Sequence, residues 1–197
     1  ERVSTIVRNL LTFSRAEKET HSPANIQDIV NDTNSLVQAI IKHDQITLEL
    51  DIPDDLPQIR CRSQQIQQVL MNLLTNARDA LNERYPEFDE NKILIVQVRA
   101  FEKDKMKWIR MTVEDHGIGI SEEIRDRIFD PFFTTKDRTK GTGLGLSISY
   151  GLIEDHLGEL SVESEPGQYT RFHVDLRVNN GWTIDETREE EINRGET

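Results

Sequence analysis

The 197-residue chain carries 30% charged and 36% hydrophobic residues, the balance of one soluble globular domain with appendages and neither a disordered nor a membranous chain. Its formal net charge of −12 repels nucleic acid and anionic lipid. Its single cysteine, Cys61, excludes an internal disulfide framework and fits a reducing, cytoplasmic setting.

No window approaches ~18 uninterrupted apolar residues, so membrane attachment is expected only through segments outside this chain. The chain opens on Glu1 within a helical pattern and without a signal peptide, so it reads as a piece of a longer protein. Over residues 1–17, Val3, Ile6, Val7, Leu10, Leu11 and Ser14 fall on one side at helical spacing, and Pro23 marks a boundary. This segment is one helix of a bundle whose other members lie elsewhere, or else an N-terminal helix packed on the main domain.

Asn25 is placed to cap a second helix, with Ile26, Ile29, Val30, Leu36, Val37, Ile40 and Ile41 inward. Ile46, Leu48, Leu50 and Ile52 alternate with polar residues as in a half-buried strand. Asp51 to Pro57 is a turn-rich connection, and Ser63 opens a long helix reaching Arg84. Strands follow near Ile93–Ala100 and Trp108–Glu114. A loop and short helix cover 115–129, and a glycine-rich loop over 141–145 runs into a helix ending near Gly158. The last strands are Leu160–Glu163 and Thr170–Val178, before a polar, acidic tail. Strand pairs adjacent in sequence, mixed with helices, predict an α+β fold, a two-layer sandwich of helices on a mixed β-sheet. The expected boundaries are 1–22 for the truncated bundle helix and linker, 23–179 for the main domain and 180–197 for the tail.

Three constellations carry chemistry. In Asn72-Leu73-Leu74-Thr75-Asn76-Ala77-Arg78-Asp79, a projection at ~100° per residue puts Asn72, Asn76, Asp79 and Glu83 on one polar stripe roughly 60° wide. Asparagine is a mediocre helix former, and its amide oxygen can ligate Mg²⁺ while phosphates and water complete the octahedron. Taken alone, the stripe is equally a solvated polar face. In Glu114-Asp115-His116-Gly117-Ile118-Gly119-Ile120, a strand runs into a carboxylate and two glycines. Asp115 can accept a hydrogen bond from the exocyclic amine of adenine, where guanine presents an oxygen, and Gly117 and Gly119 let backbone approach the ring. Taken alone, this too is an ordinary turn. In Gly141-Thr142-Gly143-Leu144-Gly145-Leu146, alternate glycines lead straight into a helix, and their amides form an anion cradle. No Gly-Lys-Ser/Thr closes it as in a Walker loop, and the spacing is not Rossmann-like. Between the last two blocks, Lys136, Arg138 and Lys140 cluster in an otherwise acidic chain, where triphosphate charge needs compensation.

These four blocks, in this order and spacing, resemble the N, G1, F and G2 boxes of sensor histidine kinases, over roughly residues 24–178. The resemblance implies a Bergerat-type ATP-binding sandwich with a mobile lid, and ATP or ADP with Mg²⁺ as cofactors. It implies that Asn76 ligates the metal, that Asn72 is catalytic and cofactor-binding, and that Asp79 lies in the pocket. Asp115 reads adenine, and Gly117, Gly119, Ile120 and Thr170 shape the adenine pocket. Lys136, Lys140, Gly141, Thr142, Gly143, Leu144, Gly145 and Leu146 hold phosphates. Residues 1–17 resemble the second helix of the dimerisation and phosphoacceptor domain. The implied partners are a histidine-bearing dimerisation domain, a response-regulator receiver domain and, in the full-length protein, a second copy as homodimer, with no nucleic acid.

Two departures fall on the pocket edge, where His116 stands in place of a common Asn and Tyr169 in place of a common Gly. The family's acceptor block, a His followed by an acidic residue and soon by a basic-x-Pro, does not occur among the five histidines. His43-Asp44 is the one His-acid pair and sits at a helix end. Two other functions compete: an ATP-hydrolysing superfamily relative, which would need a base where Asn72 stands, and a nucleotide-dependent binding switch.

Overall fold

The computed structural model describes residues 21–136 and 141–181. The helix expected over 1–17, the basic residues Arg138 and Lys140, and nearly all of the acidic tail lie outside the described residues. The elements run β1 (Ser22–Ala24), α1 (Ile26–His43), β2 (Thr47–Asp51), β3 (Ile59–Cys61), α2 (Ser63–Arg84), β4 (Ile93–Lys103), β5 (Met106–Asp115), α3 (Glu122–Arg125), α4 (Gly145–Asp155), β6 (Glu159–Glu165) and β7 (Tyr169–Arg177).

Five strands form one sheet in the order β2-β4-β5-β7-β6. β2 runs parallel to β4, and every other neighbouring pair is antiparallel. The β4–β5 hairpin closes through Asp104 and Lys105, both at positive φ, the twist a two-residue turn needs to match its strands. Strand residues alternate between two faces. Leu94, Val96, Val98, Ile109, Met111, Val113, Phe172 and Val174 point to one face and pack in a single core with the helices. From α2 come Ile66, Val69, Leu70, Leu73, Ala77 and Leu81, and from α4 Leu152 and Ile153. Ile66, Leu70 and Leu73 are 0% exposed, and truncating one such side chain to Ala costs about 2–5 kcal/mol.

The mixed two-layer sandwich is as predicted, and the long helix spans Ser63–Arg84 as read from the sequence. Three local expectations change. Leu36 and Ile40 are 66% and 42% exposed instead of inward. The buried stripe of α1 is Ile26, Ile29, Val30, Thr33, Val37 and Ile41; at ~100° per residue Leu36 and Ile40 fall at its Ile29 edge, Leu36 ~20° outside it and Ile40 ~20° inside it. Asn25 stands at the N-cap but makes no side-chain cap bond; its Nδ2 donates to Asp28 Oδ2 at 3.3 Å. Two strands were not expected: β1 begins where the linker reading ends, β3 lies between the turn-rich connection and the helix opened by Ser63, and the two pair as a separate two-stranded sheet. Both strands are three residues long, too short for a period-2 pattern to show. Among the described residues no helix is long and apolar enough to cross a membrane.

Candidate nucleotide-binding site

The helix-facing side of the sheet is apolar until its last row. There the register sets Asp115 of β5 beside Thr170 of β7, and Thr170 beside Ser164 of β6. All three are buried. Ser164 Oγ donates to the Tyr169 carbonyl at 2.7 Å, lies 3.1 Å from Thr170 Oγ1, and accepts the Ile120 amide at 2.8 Å. Asp115 Oδ1 accepts the Gly117 amide at 2.9 Å. Its second oxygen has no protein hydrogen bond among the described residues, although the residue is only 3% exposed. Burial pushes the Asp115 pKa up to about 7, against the pull of the Gly117 amide and with help from the charge of Glu114.

The loop after β5 leaves no room for a side chain at either of its glycines. A Cβ on Gly117 would meet Asp115 Oδ1 at 2.6 Å and Ala80 at 2.7 Å. Gly119 has φ +72°, and a Cβ there would lie 2.4 Å from the Glu165 carbonyl. The loop is sewn to the β6–β7 turn by Gly167 N–H donating to Ile118 O at 2.7 Å. Arg84, the last residue of α2, sends Nη1 to the carbonyls of His116 and Gly117 at 3.0 Å each and of Gln168 at 3.1 Å.

On the polar stripe of α2, Lys136 Nζ reaches Asn76 Oδ1 at 3.2 Å and Asp79 Oδ2 at 2.6 Å. Asn72 donates Nδ2 to the Gly145 carbonyl and to Ser149 Oγ, both at 3.2 Å, tying the middle of α2 to the first turn of α4. The glycine loop packs on residues 132–136. Gly143 has φ +67°, and its Cβ would fall 2.5 Å from the Phe132 carbonyl carbon; a Cβ on Gly141 would fall 2.6 Å from Thr134 Oγ1. Phe132 N–H donates to Gly143 O at 2.8 Å, and Phe132 itself has φ +67° with its ring 72% exposed. The amide of Leu144 lies 3.4 Å from Thr142 Oγ1. Leu146 is half-buried against the core.

The fold thus brings the residues singled out in α2, in the loop after β5 and in the glycine loop to one side of the sheet. Lys140 lies outside the described residues. Arg84, Ser164 and Ser149 were missed by motif reading. Ser164 was findable as the residue opposite Thr170 in a hairpin closed at Gly167. Arg84 carried no signal, because a terminal helix arginine in sequence looks like a solvated charge.

Glycine loops, a buried carboxylate and a polar helix stripe on the helix side of a mixed sheet define a Bergerat-type sandwich. Residues 61–180 match the family of histidine kinase-, DNA gyrase B-, and HSP90-like ATPases, and the chain belongs to that family. It is 34% identical over 178 residues to sporulation kinase E of Bacillus subtilis (strain 168), covering 90% of this chain and 22% of the relative. It is also 34% identical over 183 residues to sensor kinase CckA of Brucella abortus (strain 2308), covering 89% of this chain and 19% of the relative. The chain therefore spans about a fifth of these curated relatives. The nucleotide-free catalytic domain of histidine kinase ThkA superposes with a TM-score of 0.68 at 26% identity, over 81% of this chain and 97% of that one. Full-length ShkA, solved in complex with AMPPNP, shares the fold with a TM-score of 0.70 at 24% identity, over 89% of this chain and 35% of that one.

Proposed function

We propose that this chain binds ATP or ADP with Mg²⁺ in the cleft between α2, α4 and the end of the sheet. Its role is then to present the γ-phosphoryl group to a histidine of a dimerisation domain, for relay to a response-regulator aspartate. The observation that carries the reading is the unpaired carboxylate oxygen of the buried Asp115, together with a polar stripe on α2 that already attracts a cation, the Lys136 ammonium. The first suits the exocyclic amine of adenine, and the second suits a metal and phosphates.

The residues divide the work. Asp115 and Thr170 orient the base, and Gly117, Gly119 and Ile120 supply backbone close enough to exclude water from it. Asn76 offers an amide oxygen to the metal. Among the described residues no group of three or more His, Cys, Asp and Glu could cage an ion, so Asn76 would share the metal with phosphate oxygens and water. Lys136 and the amides of 141–146 compensate phosphate charge. When bound, Mg·ATP supplies the phosphoryl group; the chain supplies position and charge. Asn72 holds α4 in place and offers no base to activate water, which argues against the hydrolytic alternative.

The acceptor is expected on the dimerisation domain. His156 and His173 are buried, His116 is bonded to Glu114, and His43 and Asp44 belong to a tie with Arg78 and Asn82. Incubation with γ-labelled ATP tests the proposal. Acid-labile label should appear on an added fragment carrying the dimerisation domain and stay off this chain. Label on this chain, or rapid phosphate release, would count against the reading.

A further inference from the structure

Arg84 is exposed at the last position of α2, and nothing in the proposed chemistry uses it. Yet its Nη1 meets the carbonyls of His116, Gly117 and Gln168 at 3.0, 3.0 and 3.1 Å, and its guanidinium lies 5.0 Å from the centre of the Tyr85 ring. One nitrogen with two hydrogens thus serves three acceptors, two of them on consecutive peptides of the loop that follows Asp115.

The consequence comes from peptide geometry. In a planar trans peptide the C=O and N–H point in opposite directions, and the described chain contains no cis bond. When the His116 carbonyl points at Arg84, the Gly117 amide of that same peptide must point away from it. That amide is the donor that engages Asp115 Oδ1 at 2.9 Å. Glycine at 117 makes the plane easy to turn, since its φ and ψ are weakly restricted. A turned plane would set a carbonyl oxygen against the carboxylate in place of an N–H. An outside anchor is therefore needed, and Arg84 is the side chain that reaches the other face of the plane. The third bond, to Gln168, joins the same anchor to the turn that leads into Thr170.

We propose that Arg84 is a positioning residue for base recognition: it fixes the His116–Gly117 peptide plane, and through the Gly117 amide it fixes which oxygen Asp115 presents to the cleft. This rests on the reading of Asp115 as the group that recognises adenine.

The test measures ADP and GDP affinity, each with Mg²⁺, in the wild type, Arg84→Ala and Arg84→Met. Arg84 is exposed, so neither change opens a core cavity, and Met keeps the aliphatic stem while removing every donor. The ADP-over-GDP preference is expected to fall about tenfold in both variants. The loss should come from weaker ADP binding, with GDP within about twofold of wild type. An arginine that merely props the cleft open would weaken both nucleotides together and leave the preference intact. That result, or a preference within about twofold of wild type in either variant, overturns the proposal. A wild type with no preference for ADP would instead overturn the reading of Asp115, so the two failures are separable.

Discussion

Asp115 and Asp175 are each 3% exposed, and they sit on opposite faces of the same sheet. Asp175 faces outward, where Arg110 on the neighbouring strand grips both its oxygens at 2.7 Å. Around it that face is a ladder of paired charges, with Arg171 on Glu114 at 2.6 Å and Arg99 on Asp51. Asp115 faces the helices and has a glycine amide but no cation. Even its sequence neighbour Glu114, on the outer face, fares differently: partial burial would raise its pKa, but hydrogen bonds from Arg171 and His116 outweigh this and lower it. The same residue type at the same depth is thus a fastening on one face and an unmet demand on the other. A carboxylate kept buried without a cation costs the free protein stability, and such a cost is sensible where a ligand will meet it.

The largest effect that could break this comparison is a difference in sign. Asp115→Asn should stabilise the nucleotide-free protein at pH 8. The pKa of about 7 against an unfolded value near 3.8 sets the gain on the order of 2–4 kcal/mol. Asp175→Asn should instead destabilise it by about 1–2 kcal/mol, because Arg110 loses a charge-assisted pair. Urea unfolding at pH 8 measures both, and equal signs would refute the comparison. The binding consequence runs the other way. Asp115→Asn should cost adenine nucleotides about 1–3 kcal/mol of affinity, while Asp175→Asn leaves it within about twofold.

The same pair sets a pH dependence. The folded pKa of Asp115 is raised, so its contribution to stability is fully present below the unfolded value near 3.8. It is then lost as pH rises towards and through about 7. Wild-type stability should therefore carry a downward component over that window that Asp115→Asn lacks. Subtracting the two unfolding profiles isolates it, and a flat difference between pH 4 and 7 would show that Asp115 is not held protonated.

Much of this was legible in the sequence because it rests on short-range chemistry. The stripe of Asn72, Asn76 and Asp79 follows from helical projection, and Asp115 with its glycines follows from a strand ending in a turn. The row of Asp115, Thr170 and Ser164 did not follow in full. Thr170 was placed by resemblance to a family block, but its register with Asp115 and Ser164 depends on pairing between strands far apart in sequence. Arg84 looked idle for the same reason, since it reaches backbone carbonyls, which carry no sequence signature. Asn72 was singled out for the pocket, but its ties to Gly145 and Ser149 of α4 depend on contacts between helices far apart in sequence. Leu36 and Ile40 went the other way, since an apolar residue at the edge of a stripe gives no sign of which side of it the core ends.

A smaller effect sharpens the contrast on the α2 stripe. Lys136 and Asp79 form a half-exposed pair, with side chains 30% and 35% exposed, so the pair itself contributes at most about 1 kcal/mol to stability. Lys136→Met should barely move the unfolding midpoint. It should weaken ADP about tenfold through lost phosphate contact, and leave adenosine, which has no phosphate, unchanged. Calorimetry with both ligands checks this. Equal losses for adenosine and ADP would mean that Lys136 shapes the base end instead.

The smallest expected effect concerns His156, at the C-terminus of α4. Its Nδ1 lies 2.7 Å from the Leu152 carbonyl, and its Nε2 accepts the Arg62 amide at 3.1 Å. Both bonds are satisfied only by the neutral ring protonated on Nδ1, since a proton on Nε2 would confront the Arg62 N–H. Burial lowers its pKa below 6.5, against the raising effect of the Leu152 carbonyl. For a histidine with a depressed folded pKa, the unfolded chain takes up the proton first. Its contribution is therefore present above about pH 6.5 and is lost as pH falls towards and through the folded value. This slope is opposite to that of Asp115, whose contribution grows as pH falls. His156→Gln should be less stable than the wild type at pH 7.5, and the gap should narrow at pH 5.5. A gap of constant size at the two pH values would show that the ring does not titrate between the folded and unfolded states, and that the joint between α4 and the start of α2 tolerates a charged histidine.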